Sequence, residues 1–292
     1  MRIITFDKGG TPALGVERDG ELVDLSVIAP DLPRDLRSLI VAGEAAFTRA
    51  KGAVAQPKKE AMVPLAGLKY CPPIALTGKI ICLGLNYVSH AAESPYDTPS
   101  YPVLFARFPN SIVAHNEPLI RPSVSIQFDY EGELVCIIGR RGYRVPQERA
   151  LSIVAGYSIF NDGSIRDYQF KTPQWTIGKN FDKTGSFGPA FVTADELPPG
   201  AAELKLQTRL NGVTMQSAST TDMIFGVAET ISTITECMTL EPGDLLVMGT
   251  PSGMGFARKP PVWMKPGDVC EVEIDGIGIL RNPIMDEAKT TS

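Results

Sequence analysis

Histidine is scarce in this chain: 292 residues include only His90 and His115. Cysteine is sparse and odd in number, with five residues and no C-x-x-C pair. A zinc site built from several His and Cys ligands is therefore not expected, and no disulfide framework is indicated. Most of the cysteines stand among apolar neighbours and read as buried thiols, which fits a reducing, cytoplasmic setting. No apolar run approaches the roughly 18 residues of a membrane span. The start, MRIITFDKGG, lacks the apolar core of a signal peptide. Positive charge is not in excess either: the net charge is −5 and the pI about 5.2. Nucleic acid and membrane are thus not expected partners. Internal repeats and low-complexity tracts are also missing. With so few nitrogen and sulfur ligands, any bound cation should be held by oxygens, which points to Mg²⁺, Mn²⁺ or Ca²⁺.

What the chain does contain is apolar and strand-forming. Hydrophobic residues make up 43% of it, enough for one large core, or a large and a small one. In GVERDGELVDL, Asp19-Gly20 lies between two short strand-like runs and signals a hairpin. From Leu32 to Ala55 the pattern turns helical, with Leu36, Leu39, Ile40 and Phe47 on one face. Pro57, Pro64, Pro72 and Pro73 then break regular structure. These signals suggest a small N-terminal domain over 1–63, a linker over 64–78 and a main domain over 79–292. The main domain is strand-rich, and DVCEVEIDGIGIL predicts a second hairpin. One clear helix carries Ile224, Val227, Ala228, Ile231, Ile234 and Met238, with Thr221-Asp222 as a candidate N-cap. Strands outnumber helices without alternating with them, so the fold class is α+β and mostly β, a barrel or sandwich rather than a doubly wound sheet.

Several segments carry candidate chemistry. In QFDYEGELVCIIG, Asp129, Glu131 and Glu133 occupy alternate positions and would share one face of a strand. On the pair alone, a solvated edge is the simpler reading. Gly132 between them marks close backbone approach or a bulge, and a divalent cation would remove the repulsion. Asp162, after an apolar strand in IFNDGS, is a candidate third ligand, with an Asx-turn as its plain reading. His90 and Glu93 stand three apart in NYVSHAAE, so a helical turn would let the carboxylate hold the imidazole as a general base. The segment from Asn86 to Ser100 is polar and proline-broken, a candidate lid. Arg166, Gln169 and Lys179 can bind a carboxylate or oxyanion, although each alone reads as a surface residue. MGTPSGMG is not a phosphate loop. It reads as a tight turn whose Thr250 hydroxyl and backbone N–H groups can meet a substrate anion.

Together these segments resemble the fumarylacetoacetate hydrolase family. The matching stretches are GLNYVSHAAE (84–93), DYEGELVCIIG (129–139), AGYSIFNDGSIRDYQ (155–169), GKNFD (178–182), GPAFVT (188–193), EPGDLLVMGTPSGMG (241–255) and KPGDVCEVEIDGIGILRNP (265–283). The resemblance implies a mixed β-sandwich roll with a small N-terminal α+β domain, and a homodimer. It implies Glu131, Glu133 and Asp162 as ligands of Mg²⁺ (or Mn²⁺, Ca²⁺), and a His90–Glu93 dyad that activates water or moves protons. Arg166, Gln169, Lys179 and Thr250 fall on positions that hold carboxylate and oxo groups of a 2-oxo acid. Asp129 has no assigned role. Tyr96, Arg107, Arg258 and Trp263 are candidates for the pocket of the substrate side chain. The implied reaction is hydrolysis of the C–C bond of an acylpyruvate-type diketo acid through a pyruvate enolate. The alternatives are decarboxylation or isomerisation of oxaloacetate or a related 2-oxo diacid of aromatic catabolism. A non-catalytic metal-dependent binder is a further class, disfavoured by the base beside the metal.

Overall fold

The computed structural model describes residues 1–75, 78–88 and 99–288. The chain opens with β1 (Arg2–Lys8), β2 (Thr11–Arg18), β3 (Glu21–Asp24) and β4 (Met62–Pro64), an antiparallel meander. Its β2–β3 hairpin turns through Asp19 and Gly20, both at positive φ as a tight two-residue turn requires. Then come β5 (Ile80–Gly84), β6 (Val103–Ala106), β7 (Ile112–Val113), β8 (Leu119–Arg121), β9 (Phe128–Asp129) and β10 (Gly132–Ile138). They are followed by β11 (Val154–Asn161), β12 (Ser164–Ile165) and β13 (Gly185–Thr193). The series ends with β14 (Lys205–Leu210), β15 (Val213–Ser219), β16 (Leu245–Val247), β17 (Val269–Ile274) and β18 (Gly278–Asp286). The large sheet runs β4-β3-β2-β1-β13-β11-β10-β16-β5-β6, and β15-β14-β17-β18-β8 forms a second sheet. The α+β, mostly β expectation holds, and β17–β18 is the expected hairpin.

β10 is buried along its whole length. Leu134, Cys136 and Ile138 face the second sheet and the 227–237 helix, among Leu206, Val272, Ile231 and Ile234. Val135 and Ile137 face the other way, onto Leu14, Leu36, Leu39 and Ala50 of the N-terminal segment. Burial on both faces explains why this stretch is a continuous apolar run and does not alternate.

One expectation needs correction, the N-cap of the long helix, and one pairing goes beyond the sequence reading. The sheet of residues 1–63 continues into the rest of the chain: β1 pairs with β13, placing Ile3 opposite Phe191. The helices Leu36–Ala42 and Glu44–Val54 then cover the face of the sheet that Val135 and Ile137 would otherwise expose. The stretch read as a linker is tied down too, since Asp7 and Cys71 donate their N–H groups to Lys69 and Thr5 carbonyls. The helix of 227–237 is N-capped at Gly226, not at Thr221-Asp222. Ile224 and Phe225 donate their N–H groups to Asn86, which holds that segment extended and delays the helix. Asp222 instead closes a capping box with Ser219 on the preceding single turn.

Candidate active site

Glu131 precedes β10, Glu133 lies within it, and Asp162 follows the adjacent β11. Pairing of Gly132 with Asn161 sets the register. Asp162 N–H donates to the Glu131 carbonyl at 2.8 Å, and Glu131 N–H donates to Asn161 Oδ1 at 3.0 Å. One oxygen from each of the three carboxylates lies within 4.8 Å of the others, and all three residues are buried. A Cβ at Gly132 would meet Val272 at 2.9 Å, so glycine is what lets the second sheet close against the site. Burial, then Asp162 and Glu131, push the Glu133 carboxyl well above the usual range. This is the repulsion that the alternating carboxylates imply, and the Gly249 N–H offsets it only in part.

Three cations face the carboxylates. Lys179 Nζ lies 2.6 Å from Glu131 Oε2 and 2.7 Å from Asp162 Oδ2. Arg166 Nη2 lies 2.6 Å from Glu131 Oε1, while its Nε donates to Asp129 at 2.8 Å and its Nη1 to Gln169 at 2.8 Å. Burial opposes the charge on both cations, but Glu131 and Asp129 hold Arg166 up, and Asp162 and Glu131 do the same for Lys179. Arg107, the third, is fully buried and gives Nη1 to Asp162 and to the Gly163 carbonyl. Thr250 Oγ1 donates to the Gly132 carbonyl at 2.9 Å and accepts from Gln216 at 2.8 Å.

Among the described residues four carboxylates therefore oppose three cations, a formal balance of −1 with all of them ionised. One divalent ion makes the balance +1, which suits an anionic substrate. The donors are all oxygens, so the residues fit a hard cation such as Mg²⁺ or Mn²⁺.

Glu131, Glu133, Arg166, Gln169, Lys179 and Thr250 line one small cavity of about 30 Å³, as their sequence positions suggest. Arg107 is not among the described residues that line it: its guanidinium is bonded to Asp162, Ser111 and Thr184. Arg258 is likewise turned to the Met215 and Gly253 carbonyls, and neither it nor Trp263 lines the cavity. His90, Glu93 and Tyr96, with most of the candidate lid, lie outside the described residues.

Sequence reasoning leaves Asp129 without a role and misses other residues that matter here. Asp129 receives the N–H groups of Tyr130, Gly255 and Phe256 besides Arg166 Nε. Burial pushes its carboxyl up against the pull of Arg166, but four donors make it the charged acceptor that orients the arginine. Gln216 and the aromatic wall of Phe105, Trp175, Phe170 and Phe256 also go unread. The wall leaves a faint signal, because Trp175 stands four residues before Lys179.

The Fumarylacetoacetate (FAA) hydrolase C-terminal model matches residues 79–285. "Oxaloacetate tautomerase fahd2, mitochondrial" of Xenopus laevis is 36% identical over 291 residues, covering 98% of this chain and 90% of that protein. A fumarylacetoacetate hydrolase from Exiguobacterium antarcticum superposes with a TM-score of 0.85 at 34% identity, covering 98% of this chain and all of the other. Maleylpyruvate hydrolase from Sphingobium sp. SYK-6, solved with manganese(II) and pyruvate, superposes with a TM-score of 0.82 at 25% identity, covering 99% of this chain and all of the other. The family model matches most of the chain and the Xenopus laevis relative matches 98% of it, so the chain belongs to the fumarylacetoacetate hydrolase family.

Proposed function

We propose that the site interconverts the enol and keto forms of oxaloacetate or a closely related short 2-oxo diacid, with Mg²⁺ or Mn²⁺ held by Glu131, Glu133 and Asp162. The observation that carries this reading is the small cavity, in which Arg166, Gln169, Lys179 and Thr250 converge beside the carboxylates. The likeness to a protein named oxaloacetate tautomerase, along 98% of the chain, supports it. When bound, the ion supplies Lewis-acid polarisation worth several kcal/mol.

The chain's own residues supply binding and charge. Arg166, fixed between Asp129 and Glu131, and Lys179 offer N–H donors to the carboxylate and 2-oxo oxygens of the substrate. Thr250 Oγ1, held by Gln216, adds a fixed polar edge. Because its pKa is raised, Lys179 remains an ammonium and stabilises negative charge on the enolate oxygen without acting as the base. Tautomerisation only moves a proton between O2 and C3, so it needs no attacking water and no leaving group. His90, oriented by Glu93, is the candidate for carrying that proton.

A second reading, hydrolysis of an acylpyruvate-type diketo acid, is favoured by the likeness to the maleylpyruvate hydrolase. The test is the ultraviolet decay of enol-oxaloacetate with Mg²⁺, run beside pyruvate release from acylpyruvates. Metal-dependent acceleration of the decay supports tautomerisation. Pyruvate release without that acceleration would replace it by the hydrolytic reading. A homodimer is part of the same proposal, and light scattering on the eluted protein measures it.

A further inference from the structure

The cavity lining is of two kinds: polar or charged Glu131, Glu133, Arg166, Gln169, Lys179 and Thr250, and apolar side chains that include Leu85, Phe105 and Trp175. The Trp175 indole lies on Gly84, the last residue of β5: a Cβ there would run into ring atoms Cζ3 and Cη2. Phe105, on the neighbouring β6, meets the indole edge-on with centroids 5.6 Å apart and planes at 69°. Lys179 Nζ sits 5.1 Å from the Phe105 ring centre. Trp175 also begins the short turn Thr176–Lys179, so the indole and the ammonium move as one piece.

The described side chains of this wall carry no charge. Among the described lining residues the only cations are Arg166 and Lys179, and both are already paired with Glu131. A carboxylate pressed against the ring faces of Trp175 and Phe105 would lose its water and find no unpaired cation among the described residues, which costs free energy. A short 2-oxo acid keeps all its oxygens among the polar side chains, whereas a longer diacid drives its far carboxylate into the wall.

We propose that Trp175 and Phe105, seated on Gly84, form a length and charge filter that confines the site to short 2-oxo acids and rejects diacids with a remote second carboxylate. The filter rests on reading the site as one for 2-oxo acids, and its test reads binding without turnover. Calorimetric titration of the Mn²⁺-loaded protein with oxalate and with 2-oxoadipate measures the selection. Wild-type protein should prefer oxalate, and Trp175→Ala should raise the affinity for 2-oxoadipate relative to oxalate about tenfold, the usual worth of one altered apolar wall. Trp175→Phe should restore most of the preference. Gly84→Ala displaces the indole without removing it and should shift the ratio by about threefold or more, so it decides the matter if Trp175→Ala does not fold. A ratio that stays at the wild-type value in the folded variants overturns the filter. A wild-type protein that selects as described but does not accelerate oxaloacetate tautomerisation overturns the proposed function and leaves the filter standing.

Discussion

Arg107 is tied to Asp162, fifty-five residues away, with both side chains fully buried. Arg107→Met should cost about 3–5 kcal/mol of stability in chelator, because it breaks a buried ion pair and leaves Asp162 with Lys179 alone. The loss should shrink in Mn²⁺, since a divalent ion replaces the missing charge. Thermal melts in the two buffers check this, and equal losses would separate Arg107 from the ion's site. Glu131→Gln should keep the fold, because Lys179 retains Asp162 and Arg166 retains Asp129. The same change should weaken Mn²⁺ binding at least about tenfold, following the loss of one charged oxygen ligand, as titration would show. His115 makes a different prediction. It accepts the Arg281 N–H through Nδ1, and burial, then Arg281 and Arg2, lower its pKa to about 4. An unfolded histidine titrates near 6.5, so protons bind the unfolded chain first. Stability should therefore be full above about pH 6.5 and fall towards pH 4, by about 2 kcal/mol after allowing for partial exposure. His115→Gln should flatten that slope in denaturant titrations. The carboxylates are legible in sequence because alternation around Gly132 is a local pattern. Arg107 is not, because no neighbour in sequence distinguishes it from a surface arginine.

Two short turns hold the cavity-lining cations, Arg166–Gln169 and Thr176–Lys179, and Gly178 packs directly on the Gln169 backbone. Gly178→Ala should push the turns apart. We expect a stability loss of about 1–3 kcal/mol, typical of overpacking, together with weaker oxalate binding by calorimetry. Unchanged oxalate affinity would mean that the turns tolerate the shift. At this scale the hairpins at Asp19-Gly20 and Asp275-Gly276 are legible from their turn residues, and the helix of 227–237 from its periodicity. Its true start is hidden, because the cap is displaced by Asn86, a contact across 139 residues. The short strands β7, β9 and β12, two residues each, leave no periodic signal at all.

For the whole molecule, the formal excess of carboxylates among the described site residues leads to predictions about divalent ions. EDTA should abolish activity, and Mg²⁺ or Mn²⁺ should restore it. Saturating Mn²⁺ should raise the melting temperature by about 5 °C, as tight binding to the folded state alone requires. A melting point indifferent to Mn²⁺ would contradict a resident ion. The proline cluster reads as a boundary in the sequence, and nothing local signals that β1 pairs with β13 across it. A chain beginning at residue 64 should accordingly bind a hydrophobic dye and lack near-ultraviolet dichroism. The strand bearing Glu133 is flanked by β11 and β16 and covered on both faces. Its amides should be among the last in the protein to exchange with deuterium, opening only when the molecule as a whole does. The ligand geometry then has no partial failure: heating should take metal affinity and global structure away at the same temperature, so that an inactive population is an unfolded one.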